Sequence, residues 1–174
     1  MTLPNRVQSN VEIFTEKLFS PDPLTTVVRA HLYIESALVT LIQTYMEADV
    51  LETNKLSFPS KVQLCIGLGL IEVEEQQVLM RLNRIRNRFV HNLDAQLGRK
   101  DARNLLKDLP VREQAEVKDA LRRAGADGGT NMETIAMVFI VLYTKLVALS
   151  KGLELLRETG LPKDEAVRRL REIS

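Results

Sequence analysis

Three features of the sequence predict an all-α fold. Apolar residues recur at spacings of three and four along most of the chain, which is the pattern of a helix with one buried face. The alternating pattern of strands bounded by hairpin turns is absent from the sequence. The 174 residues, of which 45% are hydrophobic, suffice for one sizeable core, so we expect a single helical domain over 1–174.

The first long helix is predicted after a short N-terminal segment and the helix-breaking sequence "SPDP", residues 20–23. Thr25 or Thr26 is the candidate cap, and the helix runs to about Met46. Its predicted apolar stripe consists of Val27, His31, Ile34, Leu38, Leu41 and Tyr45.

Two further helices are predicted before residue 93. The first is short, with Ser57 and Ser60 as cap candidates, and it ends around Gly67 and Gly69. The second begins with two glutamates that suit the helix dipole, and we expect Asn92 to end it in the left-handed conformation. Its predicted buried face consists of Val78, Leu82, Ile85 and Phe89.

The second half of the chain predicts four more helices, which would close the bundle over 100–174. Two shorter ones lie on either side of Pro110 and are followed by the flexible loop "GADGGT". A long helix runs from Asn131 to about Glu158, where Gly160 and Pro162 stop it. The last helix, "KDEAVRRLREI", is amphipathic, with Val167, Leu170 and Ile173 facing inward.

Composition excludes several classes of protein. The formal net charge is +1, so no global field attracts nucleic acid or membrane, and any anion site must be local. Cys65 is the one cysteine and lies in an apolar run, which predicts a buried thiol and excludes a disulfide scaffold. We see no secretory signal, and "IAMVFIVLY", 135–143, is too short to span a bilayer. We expect a cytoplasmic protein with no membrane partner.

The segment "RIRNRFVHN", 84–92, concentrates cationic and hydrogen-bonding side chains at the end of its helix. With about 100° of rotation per residue, Asn83, Asn87 and His91 fall on one ridge, and the long side chain of Arg86 can reach the same cleft. An arginine fork, an amide donor and an imidazole together suit a phosphate site with proton transfer. The alternative is a solvated face whose arginines pair with carboxylates and whose histidine complements the helix dipole.

The order Arg86-Asn87-x-x-x-His91 resembles the R-N-x-x-x-H form of the motif of the HEPN superfamily. The preceding "HLYIESALVTLI" and "FPSKVQLCIGLGLIEVEE" also look like the helices before that motif in HEPN proteins. The stretch "KVQLCIGLGLI" is similar in addition to the mannitol-operon-repressor (MtlR-type) branch. The resemblance covers about 24–93, and the rest of the chain carries no motif of the family.

This resemblance implies an up-and-down helical bundle that forms a homodimer with two motif helices facing each other. It also implies a metal-independent endoribonuclease that needs no cofactor. Arg86 would stabilise the scissile phosphate, His91 would take part in acid–base transfer and Asn87 would orient one of these groups. Arg84 and Arg88 would help to hold the RNA backbone. Such enzymes include toxins and defence ribonucleases, which would add an antitoxin or regulatory protein as a possible partner.

Other interpretations stay open. His31 and Glu35 lie one turn apart and can be a buried structural pair or the polar group that some HEPN enzymes place near the motif. Two histidines and one cysteine make a zinc site unlikely on composition. The MtlR-type resemblance allows a non-catalytic transcriptional regulator that acts through protein partners. The sequence does not assign a role to 110–130.

Overall fold

The computed structural model describes residues 5–18, 20, 22–46, 52–92, 94–126 and 130–173, with the backbone alone for 5–9 and 171–173. Within these residues the chain forms eight α-helices and one short 3-10 helix, Thr53–Lys55, and no strand. The predicted all-α fold is therefore confirmed. The helices are α1 (Asn5–Leu18), α2 (Pro23–Met46), α3 (Phe58–Gly67), α4 (Glu75–His91), α5 (Arg99–Asp108), α6 (Val111–Arg123), α7 (Asn131–Glu158) and α8 (Lys163–Ile173).

The centre of the bundle is α7, which packs against α1, α2, α5, α6 and α8. Thr130 and Glu133 cap its start reciprocally, because each side chain bonds a backbone N–H of the other residue. Among the described residues it is the one helix long and apolar enough to cross a membrane. Its residues Ile135, Phe139 and Leu142 are nevertheless buried against other helices, which favours the core helix of a soluble protein and confirms the predicted buried helix at 135–143.

The long helix α2 begins earlier than predicted, and its cap is a different residue. The Asp22 carboxylate accepts hydrogen bonds from the backbone N–H groups of Leu24 and Thr25, so the prediction of Thr25 or Thr26 as the cap was wrong. Pro23 can occupy the first turn because its missing N–H would have no helical partner there. Thr26 is buried instead and donates its hydroxyl to the Leu18 carbonyl.

The N-terminal segment is also helical, which was not predicted. Phe14 and Leu18 of α1 are completely buried, and α1 contacts α2 and α7. The Phe14 ring lies 4.3 Å from the Tyr143 ring of α7, measured between centroids. Docking of this apolar face stabilises a helix whose other residues are mostly polar.

The helices that carry the motif follow the predicted pattern closely. Ser57 caps α3 by accepting the Ser60 N–H, with Pro59 in the first turn. The whole predicted face of α4 is buried: Val78, Leu82, Ile85 and Phe89.

Asn92, however, is extended (φ −145°, ψ 108°) rather than left-handed, so that prediction was wrong. Its side chain accepts the Asp94 N–H at 3.0 Å, a local turn that directs the chain away from the helix without the left-handed conformation.

The closing helices lie where the sequence places them. α5 and α6 flank Pro110, and Gly160 ends α7 with a φ of 74°, a left-handed value that suits glycine. Val167 of α8 is buried as predicted, while the side chain of Ile173 lies outside the described part. The predicted "GADGGT" loop is described except for 127–129.

Candidate functional site

The motif segment occupies the last three turns of α4, a helix that contacts α2, α3 and α5. Its apolar face fixes the rotation of the helix, because Ile85 and Phe89 are buried in the core. The remaining motif residues are therefore distributed between the α2 side, the α5 side and solvent. Sequence position alone did not determine this distribution.

Polar side chains from three helices meet on the α2 side. We call His31 and Glu35 of α2, Lys61 of α3, and Asn83 and Arg86 of α4 the motif-side cluster. The His31 Nε2 atom lies 3.1 Å from the Asn83 Oδ1 atom, and Lys61 donates to Glu35 Oε1 at 2.6 Å. These contacts link the motif helix to the helices before it.

His31 is the buried centre of this cluster, with 3% of its surface exposed. Its ring packs on Phe58 with 4.4 Å between the ring centroids. The bond to Asn83 Oδ1, an acceptor, assigns the imidazole proton to Nε2. Burial lowers the pKa of His31, and the nearby positive charges of Arg86 and Lys61 lower it further, against the raising effects of Asn83 and Glu35.

The predicted pair of His31 and Glu35 is adjacent but not hydrogen-bonded to each other. His31 Nδ1 lies 3.7 Å from Glu35 Oε2, and no described protein group hydrogen-bonds to Nδ1. Glu35 is instead held by Lys61, of which 3% is exposed. Sequence reasoning missed Lys61, although its place between Phe58 and Cys65 on the apolar face of α3 signals a lysine with a buried partner.

The first two motif residues are half-buried and bonded to each other. Arg86 Nη1 donates to Asn87 Oδ1 at 3.0 Å. Only one Arg86 nitrogen has a hydrogen-bond partner among the described residues, so the rest of its fork is available to an anion. Its charge also acts on His31, and for this reason Arg86 is counted in the motif-side cluster.

His91 and Arg84 lie in solvent. His91 is in the last turn of α4 and is exposed, and neither side chain has a hydrogen bond or ion pair within the part of the chain that the structure describes. An exposed imidazole at a helix C-terminus is accessible to a ligand or to a second protein chain.

Arg88 lies on the α5 side and has protein partners. It donates to both carboxylate oxygens of Asp101, at 3.1 and 2.9 Å, and to the Gln96 carbonyl. Burial alone raises the pKa of Asp101, but its bonds from Arg88 and from the Gly98 N–H outweigh this and lower it. An RNA phosphate would have to compete with Asp101 for this arginine.

The structure thus places Arg86 near His31, joins Asn87 to Arg86 by a hydrogen bond, and places His91 in solvent at the helix end. Within one chain the arrangement offers an arginine fork, amide groups and an accessible imidazole. Within the described residues no group of three or more His, Cys, Asp or Glu side chains could hold a metal ion. The side chains of Arg86, Asn87 and His91 can supply positive charge, hydrogen bonds and proton transfer.

Comparison of the chain with protein-family models, with curated proteins and with solved structures gives no match. The functional interpretation therefore depends on the motif and on the geometry around it.

Proposed function

We propose that the protein is a HEPN-type, metal-independent endoribonuclease or RNA-binding protein that acts in a homodimer cleft. The observation that carries this proposal is the Arg86-Asn87-x-x-x-His91 sequence at the exposed C-terminal end of α4. Arg86 has donors free within the described residues, and His91 is accessible. A solvated surface could carry lysine or glutamate in place of Asn87 and His91 at a lower cost in helix propensity.

In this mechanism the RNA 2′-hydroxyl attacks the adjacent phosphorus atom. His91 takes part in transferring the proton from the 2′-hydroxyl to the departing 5′-oxygen. The bond between phosphorus and the 5′-oxygen breaks, and the products carry a 2′,3′-cyclic phosphate and a 5′-hydroxyl. The Arg86 fork stabilises the charge that develops on the phosphoryl oxygens, and Asn87 orients Arg86 through their hydrogen bond. Arg84, which is exposed, would attract the RNA backbone.

The homodimer is part of the proposal because it would bring two motif helices together around one phosphate. Two exposed large apolar side chains support a second copy near the motif: Val90 of α4 is 49% exposed, and Leu32 of α2 is 55% exposed. Val90 precedes His91, and Leu32 follows His31, so both belong to the segments that carry the polar groups. Their burial in a dimer would be favourable.

The setting of this activity is proposed to be the cytoplasm, where the protein would serve as a toxin or defence ribonuclease. Such a ribonuclease needs control, so an antitoxin or regulatory protein is a proposed partner. α7 is the core helix of the bundle, which supports the absence of a membrane partner.

A non-catalytic MtlR-like transcriptional regulator that binds protein partners is the second candidate. It is favoured by the pairing of Arg88 with Asp101, because an arginine in a bidentate ion pair has a structural role without any RNA. In this case the motif-side cluster would serve only to join α2, α3 and α4.

Cleavage of RNA in EDTA separates the two candidates. The wild type is incubated with total RNA beside Arg86→Ala and His91→Ala, and Arg123→Ala, an exposed arginine of α6, is the matched control. We expect the wild type and the control to cleave and both motif variants to lose at least about a hundredfold in rate, the usual scale of acid–base catalysis. Circular dichroism establishes that all four proteins fold alike.

Absence of cleavage by the wild type, or cleavage that survives both motif substitutions, would reject the ribonuclease. RNA binding that both substitutions abolish, without cleavage, would support the RNA-binding form of the proposal. Analytical ultracentrifugation of the same samples tests the homodimer, since a monomer at micromolar concentration would contradict the shared cleft.

A further inference from the structure

Every exposed side chain of α5 is cationic. These residues, which we call the α5 cationic face, are Arg99, Lys100, Arg103 and Lys107. At about 100° of rotation per residue they fall within an arc of about 100°, so they form one continuous surface. The neighbouring helix α6 differs, because its exposed cations lie among Glu116 and Asp119, which pair with Arg112 and Arg122.

The two acidic residues of α5 do not neutralise this face. Asp101 accepts two hydrogen bonds from Arg88 of α4, and Asp108 accepts the Nε–H group of Arg81 of α4. Both carboxylates are therefore directed toward α4 and balance the charges of its arginines. The four cations of the α5 cationic face have no hydrogen bond or ion pair from their side chains to any residue that the structure describes.

Helix stability does not account for these cations. Arg99 and Lys100 occupy the first turn of α5, where the helix dipole disfavours positive charge. Without carboxylate partners, the four side chains also repel one another. A surface that served solubility alone would mix charges of both signs, as α6 does.

The ion pairs with α4 also determine where the α5 cationic face begins. Arg81 and Arg88 are seven residues apart on α4 and pair with Asp108 and Asp101 in reverse order, so α4 and α5 are antiparallel. The start of α5 therefore lies beside the end of α4, which carries His91. From there the face extends along α5 for about 12 Å, at about 1.5 Å per residue.

We propose that the α5 cationic face binds the phosphate backbone of RNA and leads the strand to the motif at the end of α4, an inference that rests on the proposed function. One strand of a duplex carries a phosphate about every 3.4 Å along the axis, so about 12 Å of helix can face about three phosphates. Arg99 and Arg103 offer forks that bind phosphate oxygens, and the lysines add positive charge. α5 has no aromatic residue on which a base could stack, so these contacts are independent of base sequence.

An acidic protein or a membrane suits this face less well. The cores of protein interfaces are apolar and contain few lysines, whereas no exposed side chain of α5 is apolar. Helices that lie on membranes bury an apolar face in the lipid, but the apolar face of α5, with Ala102 and Leu105, is buried in the bundle. A phosphate backbone is a ligand that charge and hydrogen bonds alone can hold.

Binding of an RNA that resists cleavage tests this face directly. The probe is a fluorescent 2′-O-methyl oligouridine, which lacks the 2′-hydroxyl that attacks in the proposed cleavage, and fluorescence anisotropy measures its Kd. The α5 variant carries the substitutions Arg99→Gln, Lys100→Gln, Arg103→Gln and Lys107→Gln. The matched control removes the same charge from exposed residues of α6, with the substitutions Arg112→Gln, Lys118→Gln, Arg122→Gln and Arg123→Gln.

We expect the α5 variant to bind the probe at least about tenfold more weakly than the wild type, and the α6 variant to stay within about twofold of it. The slope of log Kd against log salt concentration should fall by up to about 3 in the α5 variant, because each phosphate contact to a single strand contributes about 0.7. Undiminished binding by the α5 variant, an equal loss in the α6 variant, or no binding by the wild type would overturn the proposal. Binding of fluorescent poly-L-glutamate as tight as that of the probe would also overturn it and would indicate an acidic protein partner.

A double variant, Arg103→Gln with Lys107→Gln, leaves the first turn of α5 unchanged and should lose about half as much of the salt slope. Circular dichroism establishes that all variants fold as the wild type does. Weaker binding by the α5 variant without any cleavage by the wild type would support the α5 cationic face and reject the ribonuclease. Cleavage by the wild type with undiminished binding by the α5 variant would reject the face and leave the ribonuclease in place.

Discussion

Replacement of Lys145 by methionine should destabilise the protein severely, because this lysine is paired with two buried carboxylates. Glu75 is 2% exposed and Glu113 is 4% exposed, and Lys145 contacts both. Methionine keeps much of the apolar stem but removes the ammonium. The two carboxylates would then face each other without a counter-ion in a site of low polarity.

The expected loss is about 3–5 kcal/mol of unfolding free energy at pH 8, the cost of leaving a buried charge without its partner. Lys151→Met is the matched control on the same helix. Its ammonium pairs with Glu154 at 2.7 Å on a more exposed surface, so its loss should cost no more than about 1 kcal/mol. Urea unfolding followed by circular dichroism, extrapolated linearly to water, measures both values.

The pH dependence gives a second test of the same reasoning. Burial raises the pKa of Glu75 above its ordinary value of 4.5, so ionising Glu75 costs stability as the pH rises through that raised pKa. Burial alone lowers the pKa of Lys145, but Glu75 and Glu113 outweigh burial and raise it, so its ammonium persists up to alkaline pH. Without Lys145 the pKa of Glu75 must rise further. The loss of unfolding free energy caused by Lys145→Met, relative to the wild type, should therefore become smaller as the pH is lowered from 8 to 5.

A Lys145→Met protein as stable as Lys151→Met at pH 8 would refute the assignment of Lys145 as the necessary counter-ion. A deficit that does not change between pH 8 and pH 5 would refute its electrostatic origin and would indicate lost packing.

Three other perturbations have expected outcomes that the structure supplies. The folded state lowers the pKa of His31 below 6.5, so the unfolded state takes up a proton more readily and the free energy of unfolding falls as the pH drops below 6.5. Urea unfolding between pH 7 and pH 5 should therefore show a smaller fall in unfolding free energy for His31→Gln than for the wild type. Leu82 of α4 is completely buried, so Leu82→Ala should cost about 2–5 kcal/mol in the same assay, and a loss below 1 kcal/mol would contradict its place in the core. Arg88→Ala removes both bonds to Asp101 at a partly exposed site and should cost about 0.5–1 kcal/mol by thermal unfolding, a cost that salt reduces if the pair is electrostatic.

Local features of the fold were predictable because they depend on nearby residues. The spacing of Val78, Leu82, Ile85 and Phe89 predicted the buried face of α4, and Ser57 predicted the start of α3. The helix α1 had a weaker signal. Val11, Phe14 and Leu18 have helical spacing, but most other residues of this segment are polar, so its stability depends on docking against the rest of the bundle.

The contacts around the candidate site were not predictable, because they join residues far apart in sequence. Lys61 meets Glu35 across α2 and α3, and the bond between His31 and Asn83 spans 52 positions. The division of the motif arginines also depends on packing. Arg88 turns toward Asp101 of α5, whereas Arg86 lies on the side of α2.

The end groups of RNA fragments test the central proposal most directly. Purified wild-type protein is incubated in EDTA with an RNA of defined sequence, with His91→Ala as the comparison, and the fragments are analysed by mass spectrometry. The proposal predicts 2′,3′-cyclic phosphate and 5′-hydroxyl ends from the wild type and their loss with His91→Ala. Intact RNA, fragments with 5′-phosphate ends, or equal cleavage by His91→Ala would contradict it.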